Sequence, residues 1–224
     1  MTGKRKGAQR LAPTLTHERR WMRAGHRLIA GIDEAGRGAW AGPVVAGAVI
    51  LKPNVGTSRR SPLHGVNDSK QLTARQREAL FPAIVEASIT YGVGIGTVKE
   101  IDTFGILNAT RLAMQRAIAA CSPQPHALII DAVKLPQVQL PQSVFNFADS
   151  ISLSVAAASI IAKVSRDHMM FEFEARYPGY QFAQHKGYGT LIHQAALQSN
   201  GPCEIHRTTF KPIAALIQQL AFTA

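Results

Sequence analysis

Cysteine is scarce in this chain, and long apolar stretches are missing. The 224 residues include two cysteines, Cys121 and Cys203, whose spacing fits neither a zinc motif nor a disulfide framework. A reducing, cytoplasmic setting is therefore expected. The longest apolar stretches, 44–51 and 155–162, are too short to cross a bilayer. The basic N-terminus lacks the apolar segment of a secretory signal, so neither a membrane protein nor a secreted one is expected.

Acidic residues are also few. Asp and Glu number 14 against 25 Lys and Arg, which gives a formal net charge of +11 and a sequence pI near 10.2. Because binding to phosphates releases counterions, such a chain suits a nucleic-acid partner, although some chains are simply basic. Eight of the basic residues lie within 1–27, beside one acid, Glu18. We interpret 1–27 as a basic arm, disordered or loosely helical, that binds phosphates or only keeps the chain soluble.

The pattern changes at residue 28, where a folded domain is expected to begin. Alternating apolar strands and amphipathic helices predict an α/β domain over 28–224, with a C-terminal helical part from about 174. Strands are predicted over 28–32, 44–51, 91–98, 127–130 and 144–147, the first two as an antiparallel pair. A helix is predicted from Thr73, where Thr73-x-x-Gln76 resembles a capping box, and a break or kink is expected in it at Pro82. Further helices are predicted over 106–120, 152–173, 189–199 and 212–222.

Carboxylates lie at or just after the ends of three predicted strands. Asp33 and Glu34 follow the first strand, Asp131 follows 127–130, and Asp149 comes shortly after 144–147. If these strands are neighbours, their carboxyl ends bring the four side chains to one edge of the sheet. Carboxylates that close need a counter-charge, and oxygen ligands without a Cys or His cluster suit Mg²⁺ or Mn²⁺. Two such ions can clamp a phosphodiester.

Less specific interpretations exist for the same residues. An Asp at a strand end is often a turn or cap residue, and Asp149 before a helix suits an N-cap. Paired acids alone would also fit a small phosphatase, and the basic charge alone would fit a non-catalytic binder of nucleic acid. Gly92-x-Gly94-x-Gly96 has the wrong spacing for a dinucleotide fingerprint, so that function is not indicated.

Longer motifs then occur in a fixed order. They are GIDEAGRG at 31–38, NDSKQL at 67–72, ILNATRLAMQRA at 106–117, ADSISLSVAAASIIAKVSRD at 148–167, FAQHKGYGT at 182–190 and HRTTF at 206–210. Together with Asp131, they closely resemble ribonuclease HII, the type 2 ribonuclease H, from about Leu28 to Pro212. The resemblance implies a ribonuclease H-like fold, in which a mixed five-stranded sheet is flanked by helices and a C-terminal helical extension closes over the substrate.

The resemblance also implies an activity. Members of this family are endoribonucleases that cut RNA in RNA/DNA hybrids and DNA at a single embedded ribonucleotide. They cut on the 5′ side of the ribonucleotide and leave a 3′-hydroxyl and a 5′-phosphate. The positions that match the family's metal-binding carboxylates are Asp33, Glu34, Asp131 and Asp149. The expected cofactor is therefore Mg²⁺ or Mn²⁺. The sequence does not give the oligomeric state, and a monomer is the default expectation.

Substrate contacts follow from the same resemblance. Gly36, Arg37 and Gly38 match the segment that recognises the 2′-hydroxyl, the group that separates RNA from DNA. Tyr188 matches the tyrosine that packs against the sugar after the ribonucleotide. The residues that resemble contacts to backbone phosphates are Asn67, Ser69 and Lys70.

Three further groups keep two interpretations each. Lys163 and Arg166 either contact phosphates or lie on a solvated helix face. Asp167 either stabilises the metal site without contacting the ion, or forms an ion pair with Lys163 one turn earlier. His185, with His193 and His206, lacks a zinc pattern and is interpreted as structural or phosphate-facing.

The chain departs from the family's common residues at three places. Ala39-Trp40 stands where a proline and an aliphatic residue are common, Ala132-Val133 where Gly-Asn is common, and Phe147-Ala148 where Lys-Gly is common. The last change removes a positive charge beside the expected metals, which leaves the preference between Mg²⁺ and Mn²⁺ open. Residues 218–222 faintly resemble a sliding-clamp-binding peptide, although an amphipathic helix end explains them as well.

Overall fold

A five-stranded mixed sheet organises the protein. The computed structural model describes residues 12–56 and 61–223. The strands are β1 (Ile29–Ala35), β2 (Val44–Leu51), β3 (Ser88–Gly96), β4 (Ala127–Asp131) and β5 (Gln142–Phe145), in the spatial order β3-β2-β1-β4-β5. β2 pairs antiparallel with β1 and β3, whereas β1, β4 and β5 run parallel. The predicted antiparallel pair and the mixed five-stranded α/β sheet are confirmed.

Helices cover both faces of this sheet. In chain order they are α1 (Thr16–Arg23), α2 (Ala74–Ala87), α3 (Val98–Phe104), α4 (Ile106–Ala119), α5 (Leu153–Arg176), α6 (Phe182–His185), α7 (Leu191–Asn200) and α8 (Lys211–Thr223). On one face, Met114 of α4 packs with Ile32 and Ile130. On the other, α5 packs with α2, and the end of α5 joins α6 to α8 in a separate apolar cluster. None of the helices within the described ranges is long and apolar enough to cross a membrane.

The glycines of β3 allow α4 to lie close to the sheet. A Cβ on Gly94 would come within 2.0 Å of the Ala113 carbonyl oxygen, and one on Gly92 within 2.1 Å of the Ala117 carbonyl oxygen. No side chain can occupy those positions without moving the helix. The glycine pattern of this strand therefore serves helix packing.

Part of the predicted basic arm is a docked helix. Glu18 of α1 is buried, and its Oε1 accepts hydrogen bonds from the Ser152 hydroxyl at 2.7 Å and from the Ser154 hydroxyl at 2.7 Å. Trp21 and Met22 pack against an apolar cluster beneath them. The disordered alternative is wrong for α1, because these contacts fix it on the start of α5. Residues 1–11 of the predicted arm lie outside the described residues.

Other element boundaries differ from the predictions. Thr73 forms the predicted capping box with Gln76. Of the break or kink predicted at Pro82, the break is wrong, since α2 is continuous there and packs against the core, and the kink stays a prediction. β3 starts at Ser88 and ends earlier than predicted, because Thr97 and Glu100 form a capping box that begins α3. The sequence reasoning overlooked that second box, and with it α3.

Candidate active site

Asp33 and Asp131 lie at the carboxyl ends of two adjacent parallel strands. In the register of β1 and β4, Ile32 pairs with Ile130, and each is followed directly by its aspartate. Glu34 comes next in β1, which extends beyond the predicted 28–32 and ends at residue 35. The strand arrangement therefore brings these carboxylates to one edge of the sheet, as predicted.

Asp149 reaches the same edge from a short 3₁₀-helix, Ala148–Ser150. The prediction that a strand ends just before it is wrong, because β5 stops at Phe145. Phe147 then adopts a left-handed conformation with φ 61°, and the Ala148 amide donates to Asp131 Oδ1 at 2.7 Å. That hydrogen bond fixes the turn that carries Asp149 to the end of β4.

Burial and mutual repulsion disfavour charge on these carboxylates. Asp33 is 3% exposed, and burial, followed by the charges of Glu34, Asp131 and Asp149, raises its pKa well above the ordinary 3.8. Burial also raises the pKa of Glu34. The pKa of Asp149 rises to about 6 through burial and neighbouring acids. A divalent cation would stabilise such a cluster.

Among these four carboxylates, one buried oxygen has no hydrogen-bond partner. Asp33 Oδ1 accepts from the Glu34 amide at 2.7 Å, and Glu34 Oε1 pairs with Arg37 Nη1 at 3.1 Å. Glu34 Oε2 is buried and accepts no hydrogen bond. An anionic oxygen without a partner, among acids of raised pKa, fits a hard cation. Across residues 12–56 and 61–223, no three Asp, Glu, His or Cys side chains converge as a finished metal site.

Lys70 and Asp68 bring a second charged segment to the carboxylates. Burial lowers the pKa of Lys70, but the charges of Asp33, Asp68 and Asp149 outweigh that effect and raise it. Lys70 therefore supplies part of the counter-charge. After burial, the charge of Asp68 is the largest cause of the raised pKa of Asp149, and Asp68 Oδ1 accepts from the Lys70 amide at 2.9 Å. Sequence reasoning overlooked Asp68, although its position inside NDSK was a usable signal.

The other two predicted phosphate contacts of this segment are partly covered. Asn67 is half-buried, and its Nδ2 donates to Gln71 Oε1 at 3.2 Å. Ser69 is buried at the start of a 3₁₀ turn, and its carbonyl accepts from Arg77 at 2.9 Å. The segment is thus a preformed turn beside the acids, and its contact with phosphate stays a prediction.

The two glycines of Gly36-Arg37-Gly38 have different surroundings. A Cβ on Gly36, whose φ is +92°, would lie 2.0 Å from Arg166 Nε, so packing requires this glycine. At Gly38 nothing lies within 4 Å of the Cβ position, which leaves that side open to a ligand. Arg37 is exposed and points back to Glu34 through their ion pair. The segment therefore lies beside the carboxylates, and its recognition of ribose stays a prediction.

Arg166 is not placed to contact phosphate. Its side chain is fully buried, and its three nitrogens donate to the carbonyls of Pro43 at 2.9 Å, Lys186 at 2.8 Å and Ala41 at 3.0 Å. Both earlier interpretations, a phosphate contact and a solvated helix face, are wrong for this residue, because the loops on either side cover it.

Tyr188 lies between two cations. Its ring centre is 5.5 Å from Lys163 Nζ and 5.4 Å from Arg166 Cζ. Lys163 also pairs with Asp167 at 2.6 Å, which is the i,i+4 ion pair that the sequence allowed, and Arg77 lies 3.6 Å from the other oxygen of Asp167. Asp167 thus serves as an ion-pair partner here. The sugar contact of Tyr188 and the phosphate contact of Lys163 stay predictions.

Three histidines gather beneath the Tyr188 loop. His185, His193 and His206 are buried, and His193 Nε2 lies 3.0 Å from His206 Nε2. Burial lowers the pKa of His193 and of His206 to about 4, so both rings are neutral at pH 7. His185 Nε2 bonds to a backbone carbonyl at 2.6 Å, which confirms its structural interpretation.

Comparison with known proteins agrees with this geometry. A family model described as Ribonuclease HII matches residues 30–213. The ribonuclease HII of Chloroflexus aurantiacus is 51% identical over 212 residues, which cover 94% of this chain and 99% of the relative. Two solved structures share the fold. The ribonuclease H2 of Pyrococcus horikoshii OT3 has a TM-score of 0.71 and 27% identity, covering 87% of this chain and 99% of that chain.

The second is the structure of a PCNA:RNase HII complex from Archaeoglobus fulgidus. It matches with a TM-score of 0.68 and 25% identity, and the match covers 83% of this chain and 96% of that chain. The family match and the high identity extend over nearly the whole sequence, including the strands and turns that carry the carboxylates. The chain therefore belongs to the ribonuclease HII family and is an endoribonuclease.

Proposed function

We propose that this protein hydrolyses the RNA strand of RNA/DNA hybrids and cuts duplex DNA at a single embedded ribonucleotide. The cut falls on the 5′ side of the ribonucleotide and leaves a 3′-hydroxyl and a 5′-phosphate. One observation carries the proposal: the four carboxylates lie along one sheet edge, near enough to raise the pKa of Asp33, and Gly36-Arg37-Gly38 follows the first two in the chain. A phosphate-cleaving centre next to an open, glycine-bounded segment is suited to a ribose-specific cut.

The proposed cofactor is Mg²⁺ or Mn²⁺, with two ions expected when substrate is bound. Asp33, Glu34, Asp131 and Asp149 would hold them, which the unpartnered Glu34 Oε2 and the raised pKa of Asp33 support. Bound divalent ions would activate water and stabilise the leaving oxygen. The protein itself contributes carboxylates fixed at the ends of rigid strands and the nearby charge of Lys70.

The proposed substrate contacts surround this centre. Gly36, Arg37 and Gly38 would read the 2′-hydroxyl, since the space at Gly38 is open. Tyr188 would pack against the next sugar, because an aromatic face accepts any nucleotide there. The residues that would bind the flanking phosphates are Asn67, Ser69, Lys70 and Lys163.

The test is cleavage of an end-labelled DNA duplex carrying one ribonucleotide, with Mg²⁺ or Mn²⁺. A single product that ends on the 5′ side of the ribonucleotide is expected, and an all-DNA duplex should stay intact. Asp33→Asn should bind the duplex without cutting it. Glu100→Gln is a matched control, since Glu100 pairs with Arg116; it should cut normally. Normal cleavage by Asp33→Asn would contradict the site assignment.

The same assay separates two other functions. A non-catalytic binder would hold the duplex tightly and cut it with neither metal, and Phe147-Ala148 would then be the first departure to reverse. A small phosphatase would hydrolyse p-nitrophenyl phosphate and ignore the duplex. Neither function gives Gly36-Arg37-Gly38 and Tyr188 a role beside the acids.

A sliding-clamp contact at residues 218–222 is a second, separate proposal. The related Archaeoglobus fulgidus enzyme is found in a complex with PCNA. In this chain, the segment ends α8, and Phe222 is 91% exposed. Clamp binding should weaken when residues 218–224 are removed, and equal affinity with and without them would end the proposal. A monomer acting on DNA in the cytoplasm fits both proposals.

A further inference from the structure

Arg207 is fully buried and fixes the loop that contains the proposed ribose-reading segment. Its Nη2 donates to the Gly36 carbonyl at 2.7 Å, its Nη1 to the Arg37 carbonyl at 2.9 Å, and its Nε to the Gly42 carbonyl at 3.0 Å. Its backbone amide donates to the Trp40 carbonyl at 2.8 Å. One residue therefore holds four carbonyls of a single loop.

These bonds set the direction in which the loop presents its amides. In a trans peptide the N–H points opposite to the C=O. Because the carbonyls of Gly36 and Arg37 turn towards Arg207, the amides of Arg37 and Gly38 turn away from it. Within the described part of the chain, neither amide donates to a backbone carbonyl. Both N–H groups are therefore available to an oxygen of a ligand.

The buried guanidinium is unfavourable in itself. Burial, followed by the charge of Arg166, lowers the pKa of Arg207 to about 9. Among the described residues, no carboxylate forms a salt bridge with either arginine. An apolar side chain of similar size would fill such a space at lower free-energy cost. The guanidinium of Arg207 is explained by its geometry, because its three nitrogens can hold three carbonyls of the loop at once.

His206, the preceding residue, reaches the Tyr188 loop through His193. His193 Nδ1 lies 3.0 Å from the Tyr188 carbonyl, which can only accept, so Nδ1 carries the proton of this neutral ring. His193 Nε2 must then accept from His206 Nε2 at 3.0 Å, which leaves His206 Nδ1 to accept from the Cys203 amide at 2.9 Å. The two neutral imidazoles therefore donate in one direction, from His206 through His193 to the backbone carbonyl of Tyr188.

We propose that His206-Arg207 is a positioning element that fixes the two substrate-reading loops, 36–43 and 185–190, relative to each other. The inference rests on the proposed function of Gly36-Arg37-Gly38 and Tyr188. Neither residue of the pair touches the substrate in this scheme. Arg207 sets the amides that face the ribose, and His206 sets the tyrosine that faces the next sugar.

The experiment measures preference separately from cleavage. In an Asp33→Asn background with Mg²⁺, affinity is measured for a duplex with one ribonucleotide and for the same duplex in DNA alone. Adding Arg207→Lys, which keeps the charge but loses the forked geometry, should bring the ratio of the two affinities close to one. With Asp33 intact, the same change should lower kcat/KM about 100-fold, mostly through kcat, because the reacting groups are misplaced.

His206→Leu should lower kcat as well, because it breaks the chain to Tyr188. His206→Gln should restore most of that loss, since its side-chain amide can still donate to His193. The matched control is Ile118→Ala, which removes buried volume on α4, in a core cluster that contains no residue of either loop. It should lower the unfolding temperature and leave both the affinity ratio and kcat/KM unchanged.

The outcomes distinguish this inference from the proposed function. If the Asp33→Asn parent shows no preference for the ribonucleotide and the unaltered protein does not cut, the proposed function fails. If the parent shows the preference and a folded Arg207→Lys variant keeps it in full, the inference alone is overturned. Should Arg207→Lys not fold, His206→Leu decides: an unchanged kcat would overturn the inference.

Discussion

Asp33 occupies a position where a carboxylate lowers the stability of the fold. It is buried, its neighbours Glu34 and Asp131 are acids, and one of its oxygens accepts from a backbone amide. In the absence of a cation, its charge is therefore poorly compensated. Packing does not explain why the position carries a carboxylate, whereas the proposed role as a metal ligand does.

Replacing that charge should stabilise the protein when no metal is present. Asp33→Asn keeps the oxygen that accepts from the Glu34 amide, and it should raise the free energy of unfolding at pH 7 by about 1–3 kcal/mol. Because the folded pKa of Asp33 is raised, its favourable contribution is complete below the ordinary 3.8 and is lost as the pH rises through the folded value. The advantage of the variant should thus be small near pH 4 and grow towards pH 7.

Urea unfolding at several pH values, with chelator and then with Mg²⁺, checks this expectation. Mg²⁺ should stabilise the unaltered protein and leave the variant unchanged, since ligand binding to the folded state adds stability. Equal stability of the two proteins at pH 7 without metal would contradict the idea that Asp33 is electrostatically strained.

At the scale of elements, periodicity predicted the sheet and the major helices, whereas boundaries depended on tertiary contacts. β1 continues through two acids because β2 pairs with it as far as residue 35, which a polarity pattern does not show. Arginine is normally exposed, so the sequence suggested a surface role for Arg166 and gave none to Arg207. Only the fold shows that loop carbonyls surround both guanidinium groups.

Backbone conformation gives one departure from the family pattern an energetic cost. Ala132, which stands where the family commonly has glycine, has φ 53°, and its amide donates to the Phe145 carbonyl at 2.9 Å. A left-handed conformation is unfavourable for alanine by about 1 kcal/mol. The turn after β4 therefore holds strain beside Asp131, and the sequence alone does not reveal it.

Ala132→Gly should relieve this strain and raise the free energy of unfolding by about 0.5–1 kcal/mol. Ala79→Gly, at an exposed position within α2, is the matched control and should lower it by about 1 kcal/mol. Chemical denaturation measures both. If both variants were destabilised equally, the left-handed turn would hold no strain.

At the scale of the whole molecule, α1 carries part of the excess positive charge and is also packed against the folded domain. Its arginines at 19, 20 and 23 are exposed, while its single acid, Glu18, is turned inward. That arrangement leaves a basic surface on a helix that is fixed to the body. We therefore propose that the catalytic domain includes α1 and starts before residue 28, while 1–11 lie outside the described residues.

Glu18→Ala tests whether α1 is part of the same cooperative unit. The change leaves the hydroxyls of Ser152 and Ser154 without their buried acceptor, so the free energy of unfolding should fall by about 1–3 kcal/mol. Glu172→Ala, at an exposed acid on α5, should change it by less than about 0.5 kcal/mol. If the two changes had the same small effect in urea, α1 would be an appendage and the boundary at residue 28 would stand. A single, weakened transition for Glu18→Ala would instead place α1 in the folding unit that orders the start of α5, four residues after Asp149.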